Sequence, residues 1–259
     1  MPELPEVETC RRYFNATALH QKIARIHVHG AALLVDTSPQ GLGRALKDHT
    51  FDSTCRHGKY LFAKLDSGNW LVLHFGMSGL LDYGRSAVPQ YTQLAIEFNN
   101  DYRLAYVAPR KLGHIALTDS PKHWVEMKKL GPDALALSSD DFLRLAASRH
   151  GAVKPWLMDQ HSIAGIGNLY SDEVLFQSRI HPRRAVADLS EAELKAIHRK
   201  LREALDTSVA VQADPDKLPK QFLLPHRHEG GHCPRCGSNL QNAKIGGRTS
   251  WFCPHCQKT

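Results

Sequence analysis

The chain has no apolar run approaching the length of a membrane span, and its opening lacks the basic start and apolar centre of a secretory leader. The expectation is a reduced, cytoplasmic protein. No internal repeat is present, which sets aside solenoids and propellers. Cysteine is sparse, six in 259 residues, and four of the six fall between 233 and 256. That clustering, with no leader, argues against a disulfide framework. Cys10 and Cys55 lie in apolar contexts and read as core thiols. Acids are outnumbered, 26 against 33 bases, giving a formal charge of +7 before any of the 16 histidines is counted. Such a balance favours a polyanionic partner, nucleic acid first, without requiring one. What the chain does have is apolar residues, 42% of the total, enough for one large or two medium domains with a sizeable core.

The opening MPELPEVETC carries two prolines and three acids in its first eight residues. Loss of Met1 before a small residue is expected, which would leave Pro2 as a terminal secondary amine with Glu3 beside it. Pro5 suits the first turn of a helix, Glu6 and Glu8 suit its positive end, and Val7, Cys10 and Phe14 mark one face. From Ile23 to Leu117 the pattern becomes short strands. KYLFAKL-DSGN-WLVLHF and QLAIEF-NND-YRLAYV read as hairpins. From Pro121 the chain turns helical. SSDDFLRLAASRH carries serine caps, and Ser190–Glu193 forms a capping box with Leu189 and Leu194 as its staple. Leu194, Ile197, Leu201 and Leu205 continue a buried face. The stretch QADPDKLPKQFLLPHRHEGG then breaks the helix with three prolines. The fold class is multidomain α+β: an N-terminal helix with an antiparallel β-sandwich over 1–124, a helical domain over 125–224 and a small hairpin module over 225–259.

Cys233-Pro-Arg-Cys236 and Cys253-Pro-His-Cys256 are two Cys-x-x-Cys pairs separated by residues 237–252. Four thiolates at this spacing suit one tetrahedral structural zinc. The intervening stretch is hairpin-like with Gly246-Gly247 at its turn, so Lys244 and Arg248 are placed for phosphate contact or simply for solvent. In HSIAGIGNLYSDEVLF, Gly165-Ile166-Gly167-Asn168 precedes a helix. Small residues there let backbone N–H groups approach an anion such as a DNA phosphate, although a plain interhelical turn reads equally well.

The octapeptide after Met1, the HSIAGIGNLYSDE turn and the four-cysteine finger, in this order along the whole chain, closely resemble the formamidopyrimidine-DNA glycosylase and endonuclease VIII family of base-excision repair. The resemblance implies a β-sandwich with an N-terminal helix, a helix–two-turn–helix domain and a zinc finger. It implies a bifunctional glycosylase and abasic-site lyase acting as a monomer on damaged double-stranded DNA. Pro2 matches the nucleophile, whose amine would attack the sugar C1′ as lysine does in Schiff-base enzymes. Glu3 matches the acid that protonates the sugar and assists base departure, and Glu6 a residue that ties down the active-site loop. Lys59, in RHGKYLF, matches an essential lysine at the lesion-side phosphate or sugar, although by position alone it would be an exposed strand lysine. His74 and Met77, in HFGMSG, match a phosphate contact and a wedge. Arg110 and Leu112, in APRKLG, match two more void-filling positions, which offset the cost of flipping a base. Lys154 aligns with a lysine near the groove. Asn168 and Arg248 match phosphate ligands.

Two departures bear on substrate. Leu112 stands where the formamidopyrimidine branch usually carries phenylalanine. The link from about Ala213 to His232 is shorter and richer in proline than the loop that covers an oxidised guanine. Activity on abasic sites, formamidopyrimidines, hydantoins or oxidised pyrimidines is therefore expected ahead of 8-oxoguanine. The alternatives are a catalytically silent lesion-binding protein on the same scaffold, which intact Pro2, Glu3 and Lys59 argue against, and a zinc-ribbon transcription or RNA-binding factor, which leaves the octapeptide unexplained.

Overall fold

Helix α1 spans Leu4–Thr17, with Val7 and Phe14 fully buried and Cys10 packed beside them. The structure, a computed structural model, describes residues 2–258. They form two compact units, one of Glu6–Lys129 with Pro2, the other of Leu130 onward with Glu3–Pro5.

The first unit holds nine strands: β1 (Ile23–Val28), β2 (Leu34–Val35), β3 (Phe51–His57), β4 (Tyr60–Leu65), β5 (Trp70–His74), β6 (Leu80–Gly84), β7 (Thr92–Phe98), β8 (Arg103–Val107) and β9 (His114–Thr118). They make two sheets, ordered β1-β7-β8-β6 and β2-β9-β5-β4-β3. Both expected hairpins form, with Phe62 opposite Val72 in one and Ile96 opposite Leu104 in the other. Every pairing is antiparallel except that of the two-residue β2 with β9. Strand alternation sends Leu61, Ala63 and Leu65 inward to meet Leu94, Ile96 and Leu104 of the other sheet. Phe62 points the other way, where Trp124 of α3 (Pro121–Met127) covers it, so KYLFAKL is buried on both faces. A helix that the strand reading omitted, α2 (Pro39–Leu46), connects β2 to β3. The Ser38 hydroxyl caps it by accepting from Gly41 N–H at 3.0 Å, and Leu42 and Leu46 are buried one turn apart.

The second unit is built on α4 (Ser139–Ala146), α5 (Val153–Met158), α6 (Asn168–Ser178) and α7 (Glu191–Ala210). The capping box at α7 is present: Glu193 N–H donates to Ser190 Oγ at 3.3 Å, and Ser190 N–H to Glu193 Oε2 at 2.8 Å. Ile197, Leu201 and Leu205 lie in one core with Phe142, Trp156, Val174 and the N-terminal Leu4. Helix α6 has almost no solvent face, since Tyr170 through Phe176 are all buried. Strands β10 (Gln241–Ile245) and β11 (Arg248–Phe252) pair across the Gly246–Gly247 turn as expected. The proline-rich stretch before the hairpin is docked rather than loose. Phe222 and Leu223 are buried, Leu224 N–H donates to Glu173 Oε2 at 2.9 Å, and the Gln177 amide donates to Gln221 O at 3.1 Å. Among the described residues no helix is long and apolar enough to cross a membrane.

Candidate nucleic-acid interface and metal centre

The glycine turn before α6 does bind an anion, but the anion is Glu3. The first N–H groups of a helix have no partner within it and attract negative charge. Here Gly167 N–H and Tyr170 N–H donate to Glu3 Oε2 at 2.6 and 3.3 Å, and Leu169 N–H donates to Oε1 at 2.8 Å. Glu3 is fully buried. The expectation that these backbone groups would take a DNA phosphate is thereby corrected: they hold a carboxylate from the start of the chain. Leu4 N–H adds a bond to Gly165 O at 3.0 Å. Gly165 has φ +117°, and a Cβ there would lie 2.7 Å from Leu4 Cδ1, so only glycine lets Leu4 and Glu3 approach this closely.

Lys59 sits in the two-residue turn between β3 and β4 and is buried, which sets aside its reading as an exposed strand lysine. Its turn is braced from α1. Glu8 pairs with Arg11, Arg12 and Arg56 at 2.7, 3.3 and 3.4 Å, and Arg56 donates to Gly58 O at 3.2 Å. Burial would raise the Glu8 carboxyl, but these guanidiniums outweigh it and hold the group below its ordinary range. His74, at the end of β5, packs against Tyr60 and stacks on His114, with ring centroids 4.8 and 5.3 Å away. Burial, with His114 and Lys59 nearby, pushes it down to about 4. Gly76 N–H donates to its Nδ1 at 3.2 Å. The ring is therefore neutral at pH 7 with its proton on Nε2, and it offers a phosphate one neutral donor rather than a charge.

Met77 and Leu112 are 39% and 50% exposed, unusual for large apolar residues, and Arg110 is exposed beside them in sequence. The loops carrying Met77 and Leu112 are locked together at the backbone. A Cβ on Gly76, at φ +58°, would stand 2.5 Å from the Leu112 carbonyl. The first unit thus brings Lys59 and His74 together and presents Met77, Arg110 and Leu112 on adjoining loops.

In the second unit Lys154 is wholly buried. Its ammonium donates to Asn168 Oδ1 at 2.8 Å and to Asp172 Oδ1 at 2.6 Å. Burial pushes this lysine down, against the pull of Asp172. Asn168 is half-buried at the first position of α6, and Arg248 is exposed at the hairpin turn. Sequence reasoning did not find Glu8, Arg56 or Asp172. Arg11 and Arg12 lie within one helical turn of Glu8, but the Glu8–Arg56 and Asp172–Arg227 pairs span 48 and 55 residues and leave no local pattern to read.

The four finger cysteines place their sulfurs within 4.8 Å of one another. Cys233 to Cys256 is 3.8 Å and Cys236 to Cys253 is 3.5 Å. A tetrahedron of thiolates about 2.3 Å from zinc has edges of about 3.8 Å, so the donors fit. Two backbone N–H groups, of Arg235 and Cys256, point at Cys233 Sγ and Cys253 Sγ, each at 3.4 Å, and help carry the negative charge of the thiolates.

Residues 1–115 match the formamidopyrimidine-DNA glycosylase N-terminal domain, 130–218 its H2TH domain, and 230–259 the zinc finger found in FPG and IleRS. With this match and the sulfur geometry, the four cysteines hold one structural zinc ion. A formamidopyrimidine-DNA glycosylase of Pelotomaculum thermopropionicum is 34% identical over all of this chain and 99% of its own length. One of Arabidopsis thaliana is 32% identical over all of this chain and 71% of its own length. Among solved structures, the Lactococcus lactis Fpg (MutM) protein with DNA containing N7-benzyl-Fapy-dG superposes with a TM-score of 0.91 at 29% identity, covering both chains fully. The same protein bound non-covalently to DNA with an abasic site gives 0.89 at 29% identity, over 99% of this chain and 100% of the other.

Proposed function

The chain belongs to the formamidopyrimidine-DNA glycosylase family, and on that premise we propose that it is a bifunctional DNA glycosylase and abasic-site lyase of base-excision repair. The observation that carries the reading is the full-length relation to proteins solved on lesion and abasic-site DNA. The fixing of Glu3 by backbone N–H groups at the start of α6 supports it. The enzyme works as a monomer on duplex DNA in the cytoplasm, on the nucleoid in a bacterial cell. Residues 1–124 form the catalytic part, 125–224 the helical DNA-binding part and 225–259 the finger.

Pro2, freed by removal of Met1, supplies the nucleophile. Its nitrogen forms a bond to C1′ of the damaged nucleotide while the C1′–base bond breaks, and the base leaves with that electron pair and a proton. The Glu3 carboxylate takes the proton that the Pro2 nitrogen loses on bonding C1′ and passes it to the sugar ring oxygen, so the ring opens and C1′ becomes an iminium. The iminium acidifies C2′. Loss of a proton there expels the 3′ phosphate as the C3′–O bond breaks, and water then releases Pro2. Lys59 holds the lesion-side phosphate or sugar, and His74, Asn168 and Arg248 take phosphates. Met77, Arg110 and Leu112 fill the gap that the flipped nucleotide leaves. The zinc ion shapes the finger and takes no part in these steps.

The test is to incubate the protein with an abasic-site duplex and borohydride, then map the adduct by mass spectrometry. A reductant-dependent adduct on Pro2 is expected. Tight lesion binding with an intact Pro2 terminus and no adduct would instead make this a silent lesion-binding protein.

Base preference follows from two features. Leu112 fills space but stacks poorly, and within the 213–232 segment residues Gln221–Leu224 are docked on α6 rather than free to serve as a cover. Formamidopyrimidines should be excised faster than 8-oxoguanine opposite cytosine, by about tenfold if one stacking or covering contact worth about 1.4 kcal/mol is lost. Single-turnover rates on matched duplexes decide this, and 8-oxoguanine as the fastest base would reverse the assignment.

A further inference from the structure

We propose that Asp172 is a positioning residue that ties the finger hairpin, through Lys154, to the orientation of Asn168. The proposal rests on the reading of Asn168 and Arg248 as phosphate contacts. Asp172 is wholly buried on α6, and both its oxygens are occupied. Oδ1 accepts from Lys154 at 2.6 Å, and Oδ2 accepts from Arg227 Nε at 2.8 Å and from Trp251 N–H at 3.0 Å. Arg227 also donates to Thr249 O at 3.1 Å. Strand β11 is therefore gripped at Thr249 and Trp251, directly after Arg248.

On the other side, Lys154 passes the connection to Asn168 Oδ1. An ammonium has donors only, so the amide must turn its oxygen toward Lys154 and its NH2 away from it. Asn168 is thereby fixed as a donor, the form an anionic phosphate needs. One buried carboxylate thus sets both the strand behind Arg248 and the amide of Asn168.

Replacing Asp172 itself would leave two buried cations without their anion and endanger folding. Two gentler variants isolate the ends of the chain of contacts. Lys154→Met removes the arm to Asn168 and leaves Asp172 with Arg227 and Trp251 N–H. Arg227→Gln loosens β11 and leaves Lys154 and Asn168 in contact. Each is combined with Asn168→Ala, and Kd for a duplex holding a tetrahydrofuran abasic analogue is measured against salt, with melting temperature as the folding check.

Lys154→Met and Asn168→Ala should each weaken binding by about five- to tenfold, and the double variant should lose no more than either, while the salt slope stays nearly constant because a neutral amide releases no counterion. Arg227→Gln should shrink the effect of Asn168→Ala by at least about twofold. A merely structural role would lower the melting temperature without this non-additivity. Additive losses in the first pair overturn the link from Lys154 to Asn168, and additive losses in the second overturn the tie to the finger. If Asn168→Ala and Arg248→Ala alone leave Kd and slope unchanged, the phosphate-contact reading fails and the proposal with it.

Discussion

Inserting one serine between Met1 and Pro2 is expected to abolish the borohydride-trapped adduct on an abasic-site duplex, a loss of about 10³-fold or more, while the melting temperature should stay that of the wild type. The reason is electronic. An internal proline nitrogen is a tertiary amide whose lone pair is delocalised into the carbonyl, and it cannot attack C1′. The surrounding structure has no cause to change, because Glu3 is held by its own carboxylate and Leu4 by its own N–H. Changing Pro2 to glycine instead keeps a terminal amine and should keep a slower adduct on residue 2. Trapping of the inserted variant at the wild-type rate would move the nucleophile to another amine, and Lys59 would be the first to map.

Removing zinc should weaken duplex binding by about 10²-fold or more, far beyond the loss of any single phosphate contact. The finger has little core of its own. Leu240, Cys233 and Cys253 share one cluster with Phe176 of α6 and Leu223 of the docked segment. Zinc in such modules supplies on the order of 10 kcal/mol or more of folding free energy, so the hairpin cannot outlast the metal. Its loss removes Arg248 and also frees Arg235, whose guanidinium lies 4.3 Å over Phe176 and donates to Phe176 O at 2.7 Å. Cys253→Ser should reproduce the effect of a chelator. The check is Kd across a salt series beside the metal content of the same sample. Full affinity in metal-free protein would show that the finger stabilises itself and that Arg248 is dispensable.

The sequence was most informative where a physical rule acts over a few residues. The hairpins follow from alternation, the α7 start from a capping box, and the metal centre from two Cys-x-x-Cys pairs. It was least informative where partners are remote. Helix α2 carries two glycines in eight residues, PQGLGRAL, a composition that reads as a turn, and only the burial of Leu42 and Leu46 makes it helical. Lys154 was expected near the groove from the family resemblance alone, which does not foretell whether its side chain is buried. Its burial depends on Asp172, 18 residues away, and on Arg227, 55 residues beyond Asp172. The glycine turn was read as a seat for a DNA phosphate or a plain interhelical turn, and nothing local showed that a glutamate 164 residues upstream would occupy it.

That separation also sets an order of events on the ribosome. Glu3 leaves the exit tunnel early, but its seat consists of N–H groups at 167, 169 and 170. At about 5–20 residues per second, those groups are synthesised roughly 8–30 s later. Until then the first residues have no fixed place, and an aminopeptidase can reach Met1. The seat for Glu3 exists only once residues 167–170 have been made, so a nascent chain shorter than that lacks the bonds that fix Glu3.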